Sequence, residues 1–186
     1  MNRLGFIWYG FDVVVNTAQG LDRMVAEGRL TSGSRMDFCR SGVAAAVRVG
    51  VPAPDISSAA ALKLALLGAS SIAISSGASG RYLEQVFQTL GVAEQIRHKI
   101  RQPPSGAQIG EMLARGDAEL GFQQVSEMMN LPGIDVLGPL PGEIQIVTTF
   151  SGAVCAASTQ PQAARELLAF MASPAAADAK RRHGMD

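Results

Sequence analysis

Two rhythms of apolar and polar positions take turns along this chain, short β-branched runs and the three-to-four spacing of amphipathic helices. Residues 11–16, Phe-Asp-Val-Val-Val-Asn, form a strand-type run that ends polar. In residues 19–27, Leu21, Met24 and Val25 share a helix face, and Gly28 closes that helix. Residues 40–49 read as a long buried strand and residues 50–57, with Pro52 and Pro54, as a rigid extended crossing. Ser57 or Ser58 is the expected N-cap of a helix running to Leu67. A buried strand at 72–75, a Gly/Ser turn and a helix over 80–90 ending at Gly91 come next.

Residues 105–115 form a further helix, introduced by Pro103 and Pro104 and closed by Gly116. A short strand at 118–122, a helical turn or two at 125–129 and a strand at 134–137 follow. The chain then offers a long strand over 144–156 and helices over 161–171 and 174–183, each with a proline at its start. Strands alternating with helices predict the α/β class with parallel sheets. The only Pro/Gly-rich extended connections are residues 50–57 and 138–143. Read as crossings, they predict residues 1–52 with 143–186 as one lobe and 53–142 as the other. A two-strand hinge and a cleft between lobes are then expected.

With 186 residues, 47% hydrophobic and 17% charged, the chain can bury a real core. Sixteen basic residues cancel sixteen acidic ones and no Lys/Arg stripe carries interleaved aromatics, so nucleic acid is not the expected partner. The cluster at Lys180, Arg181 and Arg182 reads as cations in the last turn of a helix. No run approaches the roughly 20 apolar residues of a membrane span. The first ten residues are too weak for a secretory signal, so the chain as written is expected to be cytoplasmic. Cys39 and Cys155 lack metal or redox spacing and read as buried small hydrophobes, a disulfide being the lesser reading.

The candidate chemistry gathers where strands end. Asn16-Thr17, Ser75-Ser76-Gly77-Ala78-Ser79 and Gln123-Gln124 are polar, small and uncharged, and α/β sheets place ligands at such carboxyl ends. Helix-start amides and hydroxyls hold an anion by hydrogen bonds, and Arg81, one step beyond Gly80, could add a charge. The plainer reading of the turn is an ordinary strand-to-helix connection with Ser79 as N-cap. Its glycine spacing matches neither a phosphate loop nor a dinucleotide fingerprint. Ser105 and Gly106 open a second helix whose amides could meet the same ligand. His98 and His183 read as surface residues, no nucleophile motif or metal cluster is seen, and no cofactor is expected. Glu127 is the titratable group closest in sequence to these candidates.

Four segments in order resemble molybdate-binding-type solute-binding proteins, the receptors of ABC importers. They are Phe-Asp-Val-Val-Val-Asn-Thr at 11–17 with Ala-Glu-Gly-Arg-Leu at 26–30, residues 80–91, residues 113–121, and residues 167–177 with His183-Gly-Met. The resemblance covers nearly the whole chain from Phe11. It implies a type II periplasmic-binding fold, two α/β lobes closing on an oxyanion or small organic anion, and periplasmic localisation. Membrane subunits of an importer would be the protein partners. It also implies that the backbone near Ser79 and near Gly106 meets the ligand; the strand-end and helix-start reading adds Asn16, Thr17, Ser76, Gly80, Arg81, Ser105 and Gln124 to the candidate ligand-binding residues. Gln124 falls where molybdate receptors carry a tyrosine, so a phenol donor has become an amide. Members of that family open with a strand, a helix and a strand that ten residues replace here, which implies an incomplete first lobe and makes a homodimer a hypothesis. The rival readings are a cytoplasmic sensing module on the same fold and an isomerase or hydrolase of a small acid using Glu127.

Overall fold

The computed structural model describes residues 10–103 and 108–186. In chain order the elements are β1 (Val13–Thr17), α1 (Ala18–Ala26), β2 (Met36–Arg48), α2 (Ala59–Gly68), β3 (Ile72–Ile74), α3 (Ala78–Thr89), α4 (Ala93–Ile96), β4 (Ile100–Arg101), α5 (Ile109–Arg115), β5 (Leu120–Gln124), α6 (Val125–Met128), β6 (Ile134–Pro139), β7 (Val147–Val154), α7 (Pro161–Ala172) and α8 (Ala177–Arg182). They form two compact units. One comprises the chain up to Arg40, Thr148–Arg182 and Asp186; the other comprises Ser41–Val147 and His183–Met185. The Pro/Gly-rich stretches at 50–57 and 138–143 both lie inside the second unit. Where the sequence reading set the bounds near 52 and 143, the units change over at 40/41, within β2, and at 147/148, at the start of β7.

In the first unit β1 runs antiparallel to β7, Val13 opposite Val154 and Thr17 opposite Phe150. Successive valines of β1 face opposite ways. Val14 joins Leu21, Met24 and Val25 of α1, whereas Val13 joins Ala164, Leu168 and Met171 of α7. Lys180 of α8 donates from Nζ to the carbonyls of Phe38, at 2.7 Å, and Met171, at 3.0 Å. The cation therefore satisfies a carbonyl in the last turn of α7, one helix before its own.

The second unit is built on the half of β2 from Ser41 onward. Val43, Ala45 and Val47 point to one core with Leu62 and Leu66 of α2, Leu83 and Phe87 of α3, and Ile96 of α4. Ala44 and Ala46 point to a second core with Ile109 and Leu113 of α5 and Met128 of α6. This two-sided burial explains the unbroken apolar run in the sequence. The face toward α5 is paved with Ala44, Ala46, Ala73 and Gly121. A Cβ on Gly121 would lie 2.7 Å from Ile109 Cγ2 and 2.8 Å from Leu113 Cδ1, so α5 sits closer than any larger residue would allow.

The expected parallel pairing is found in β4–β3–β5, but β2 runs antiparallel to β5 and to β6. A crossover helix dictates direction only between the strands it joins. β2 pairs with strands that no single helix connects to it. The 13-residue β2 also begins at Met36, four residues before the apolar run that announced it.

Candidate functional site

β3, β4 and β5 end on one edge of the second unit's sheet. Ile72 pairs with Ile100 and Leu120, and Ile74 with Phe122, all in parallel register. Ser75, Ser76 and Gly77 therefore emerge beside Gln123 and Gln124, where a sheet of this class offers its crevice.

Strand alternation separates the two glutamines. Leu120 and Phe122 face the core under α2 and α3, and Gln124 follows them; Gly121 faces α5, and Gln123 follows it. Gln123 is 6% exposed and accepts the Ile109 N–H through Oε1 at 3.1 Å, while its amide nitrogen donates to the Glu127 carboxylate. Only this orientation of the amide serves both a backbone donor and a carboxylate acceptor. Glu127 is exposed as a residue, but burial of its carboxyl end raises its pKa, and the hydrogen bond from Gln123 offsets part of the rise.

The turn from β3 into α3 is tied by Ser75. Its Oγ accepts the Gly80 N–H at 3.2 Å and shares a 2.8 Å hydrogen bond with Ser79 Oγ. Ser79, 7% exposed, sits inside the first helical turn and is not the N-cap that the plainer reading expected. Gly77 takes that place and makes no side-chain hydrogen bond to the helix start. The helix begins two residues earlier than predicted because the preceding strand supplies the tying hydroxyl. A Cβ on Gly80 would lie 2.8 Å from the Ser75 carbonyl carbon, and closer still to its oxygen, so glycine lets α3 start against the strand end. The first turn of this 12-residue helix carries no acidic side chain. Its positive end is thus directed at the turn without a carboxylate to neutralise it.

The described candidates divide between the units. Ser76, Ser79, Gly80 and Arg81 lie on this one turn, Ser76 and Arg81 exposed, next to the strand that ends in Gln124, which is 5% exposed. Asn16 and Thr17 belong to the first unit, at the end of β1. Thr17 Oγ1 accepts the Gly20 N–H at 3.2 Å as N-cap of α1, and Asn16 Oδ1 accepts the Thr17 N–H at 2.7 Å. Ser105 and Gly106 lie outside the described residues. Sequence reasoning missed the part played by Ser75 and the division of labour between Gln123 and Gln124. The signal was the exact end of β5, because extending that strand from 122 to 124 puts the two glutamines on opposite faces.

His98 and His183 are exposed. Cys39 and Cys155 are buried and not joined in a disulfide, and burial pushes the pKa of each thiol up. A cavity of about 600 Å³ opens beside Phe87, Ile96 and Ile100, rimmed by Glu84, Glu94 and Arg97. None of the turn residues lines it, and its two rim carboxylates suit an anion poorly.

Among the described residues, a helix start without an acidic side chain, the hydroxyls of Ser75 and Ser79 and the buried amide of Gln124 gather beside parallel strand ends. The chain matches the bacterial extracellular solute-binding protein family over residues 9–186 and belongs to it. An aconitate isomerase from Pseudomonas sp is 42% identical over 175 residues, which cover 94% of this chain; the chain spans 66% of that relative's length. The fold is also that of the Azotobacter vinelandii periplasmic molybdate-binding protein, with a TM-score of 0.75 at 18% identity over 95% of this chain and 78% of that one. The substrate-binding domain of a molybdenum ABC transporter from Clostridium difficile superposes with a TM-score of 0.74 at 17% identity, over 96% and 77% of the two chains. The fold is thus α/β of the periplasmic-binding-protein type, as the sequence resemblance implied.

Proposed function

We propose that this chain holds a small organic acid, a di- or tricarboxylate, at the turn between β3 and α3, as the receptor of an ABC-type importer. The observation that carries the reading is the start of α3, where no acidic side chain occupies the first turn and the hydroxyls of Ser75, which already takes the Gly80 N–H, and Ser79 stand beside the helix-start amides. A carboxylate accepts from such donors without a metal or a fixed counter-charge. The 42% identical relative bears the name of a tricarboxylic acid, which favours an organic acid over molybdate. The likeness to molybdate receptors, at 17 and 18% identity, concerns the fold alone. Export across the inner membrane and docking on importer subunits belong to the same proposal, supported by family membership.

Isothermal titration with cis- and trans-aconitate, citrate, molybdate and sulfate tests the ligand class. Saturable heat with the carboxylates is expected. A folded protein that gives heat with none of the five, or with molybdate alone, overturns the reading.

The relative's name also favours a second reading, isomerisation of the acid it holds. That chemistry needs a group able to take a proton from carbon and return it, and Glu127 beside Gln123 is the candidate. Proton NMR of trans-aconitate with the protein in D₂O would show new isomer and deuterium incorporation. An unchanged spectrum leaves the receptor reading alone.

A further inference from the structure

The cavity of about 600 Å³ beside Phe87 lies wholly within the second unit, and the proposed carboxylate site does not use it. Its volume is that of an ordinary small-molecule site, roughly 300–1,000 Å³. Its floor is apolar. Ile74, Phe87 and Ile96 line it as buried core residues, and half-buried Ile100 of β4 joins them. The Phe87 ring packs edge to face with Phe122, centres 6.3 Å apart, which fixes this part of the wall.

The polar lining is unspent. Glu84 and Gln88 share one face of α3 with Phe87, and Gln102, just past β4, lines the cavity as well. Among the described residues the side chains of Glu84, Gln88 and Gln102 make no hydrogen bond or ion pair. Arg97 is paired with Glu94 at 4.0 Å, so the rim carries one uncompensated carboxylate, that of Glu84. The element that follows β4 does not cover the cavity: Ile109 and Leu113 of α5 pack with Ala73 on the opposite face of the sheet from Ile72 and Ile74. Nor does the edge of β4 suit an added strand, because the Arg101 guanidinium already donates to the carbonyls of His98, at 2.9 Å, and Ile100, at 3.0 Å.

We infer that this cavity binds a small amphipathic amine, a monocation with an apolar body. The ammonium pairs with Glu84, with the amide oxygens of Gln88 and Gln102 as further acceptors, and the apolar body covers Ile100 and Phe87. A carboxylate in the same place meets Glu84 and Glu94 as like charges, and a neutral ligand leaves Glu84 uncompensated. Glu84 is exposed, and an ion pair at such a rim is weak. The apolar body therefore supplies most of the affinity and the charge supplies the selectivity.

Amide NMR titration of the full chain with 2-phenylethylamine, 2-phenylethanol and phenylacetate, near-isosteres of different charge, tests this. Saturable shifts at residues of α3, α4 and β4 are expected with the amine, at a Kd of about 1 mM or lower. The alcohol and the acid should bind there about fivefold more weakly. Glu84→Gln, at an exposed position, should bring the amine down to the level of the alcohol. Ala93→Phe places a ring in the cavity and should weaken binding of the amine as well. Circular dichroism checks that both variants are folded, and should the phenylalanine variant unfold, Glu84→Gln decides. No binding of the amine, equal or better binding of the alcohol or the acid, or an amine affinity indifferent to Glu84→Gln overturns the inference. Shifts centred on residues 75–80 would also overturn it, because the amine would then occupy the proposed carboxylate site.

Discussion

Replacing Gly80 with alanine tests the turn on which the proposed site depends. In a helix interior that change normally stabilises by about 1 kcal/mol, because glycine loses more backbone entropy on folding. Here the new methyl would stand 2.8 Å from the Ser75 carbonyl carbon, where ordinary contacts begin beyond 3.4 Å, and nearer still to the oxygen. The obstacle is backbone, so no side-chain rotation relieves it; either α3 lifts away from β3 or the strand end shifts. Overpacking of this kind costs about 1–3 kcal/mol, and a backbone clash lies at or beyond the upper end. After the propensity gain, a net loss of about 2 kcal/mol is expected, a fall in Tm of about 4–8 °C for a chain of this size. The same displacement moves the Gly80 N–H and Ser79 Oγ away from Ser75, so heat of ligand binding should fall with it. Gly68→Ala is the control, since nothing lies within 4 Å of a Cβ there and α2 should gain about 0.5–1 kcal/mol. Differential scanning calorimetry reads both. A Gly80→Ala protein as stable as the wild type, with unchanged ligand heat, would refute the close approach of α3 to the strand end.

Ser75→Ala leaves the Gly80 N–H without its acceptor and the buried Ser79 hydroxyl without its partner; a loss of about 1–2 kcal/mol in urea unfolding is expected. Glu127 has a folded-state pKa above its unfolded one, so its effect on stability is most favourable when protonated and is lost as pH rises through the folded value. Glu127→Gln should therefore raise Tm relative to wild type more at about pH 7 than at about pH 4; an equal difference at both would contradict the raised pKa. Lys180→Met strands the carbonyls of Phe38 and Met171 and should cost about 1–2 kcal/mol by chemical denaturation, with the loss confined to the first unit's amides in hydrogen exchange.

Much of this was legible in the chain. Ser58 caps α2 through Oγ to the Ala61 N–H at 3.1 Å, and Gly116 closes α5 in the left-handed conformation, because caps act within one turn of backbone and leave a local mark. Periodicity located α1, α3 and α7 within two residues at each end, since an amphipathic face must repeat to reach a core. Strand direction was not legible. β2 is antiparallel to β5 and β6 through pairings spanning 75 to 95 residues of sequence, and nothing local records which way such a partner runs.

The candidate site divides along the same line. The sequence by itself determined its ingredients: a Gly/Ser turn after a buried apolar strand, a helix without an acidic first turn, and two neutral glutamines at another strand's end. Hydrogen bonding and packing within a few residues dictate these, so composition and spacing reveal them. Only the tertiary structure decided that Ser75, and not Ser79, ties the turn, that Gln123 turns to α5 while Gln124 stays on the face toward α3, and that Gly80 is required by the Ser75 carbonyl. Each of those outcomes depends on the register between strands far apart in the chain. A slip of one residue reverses every side chain on a strand, and only the packing of both faces of the assembled sheet selects the register that wins.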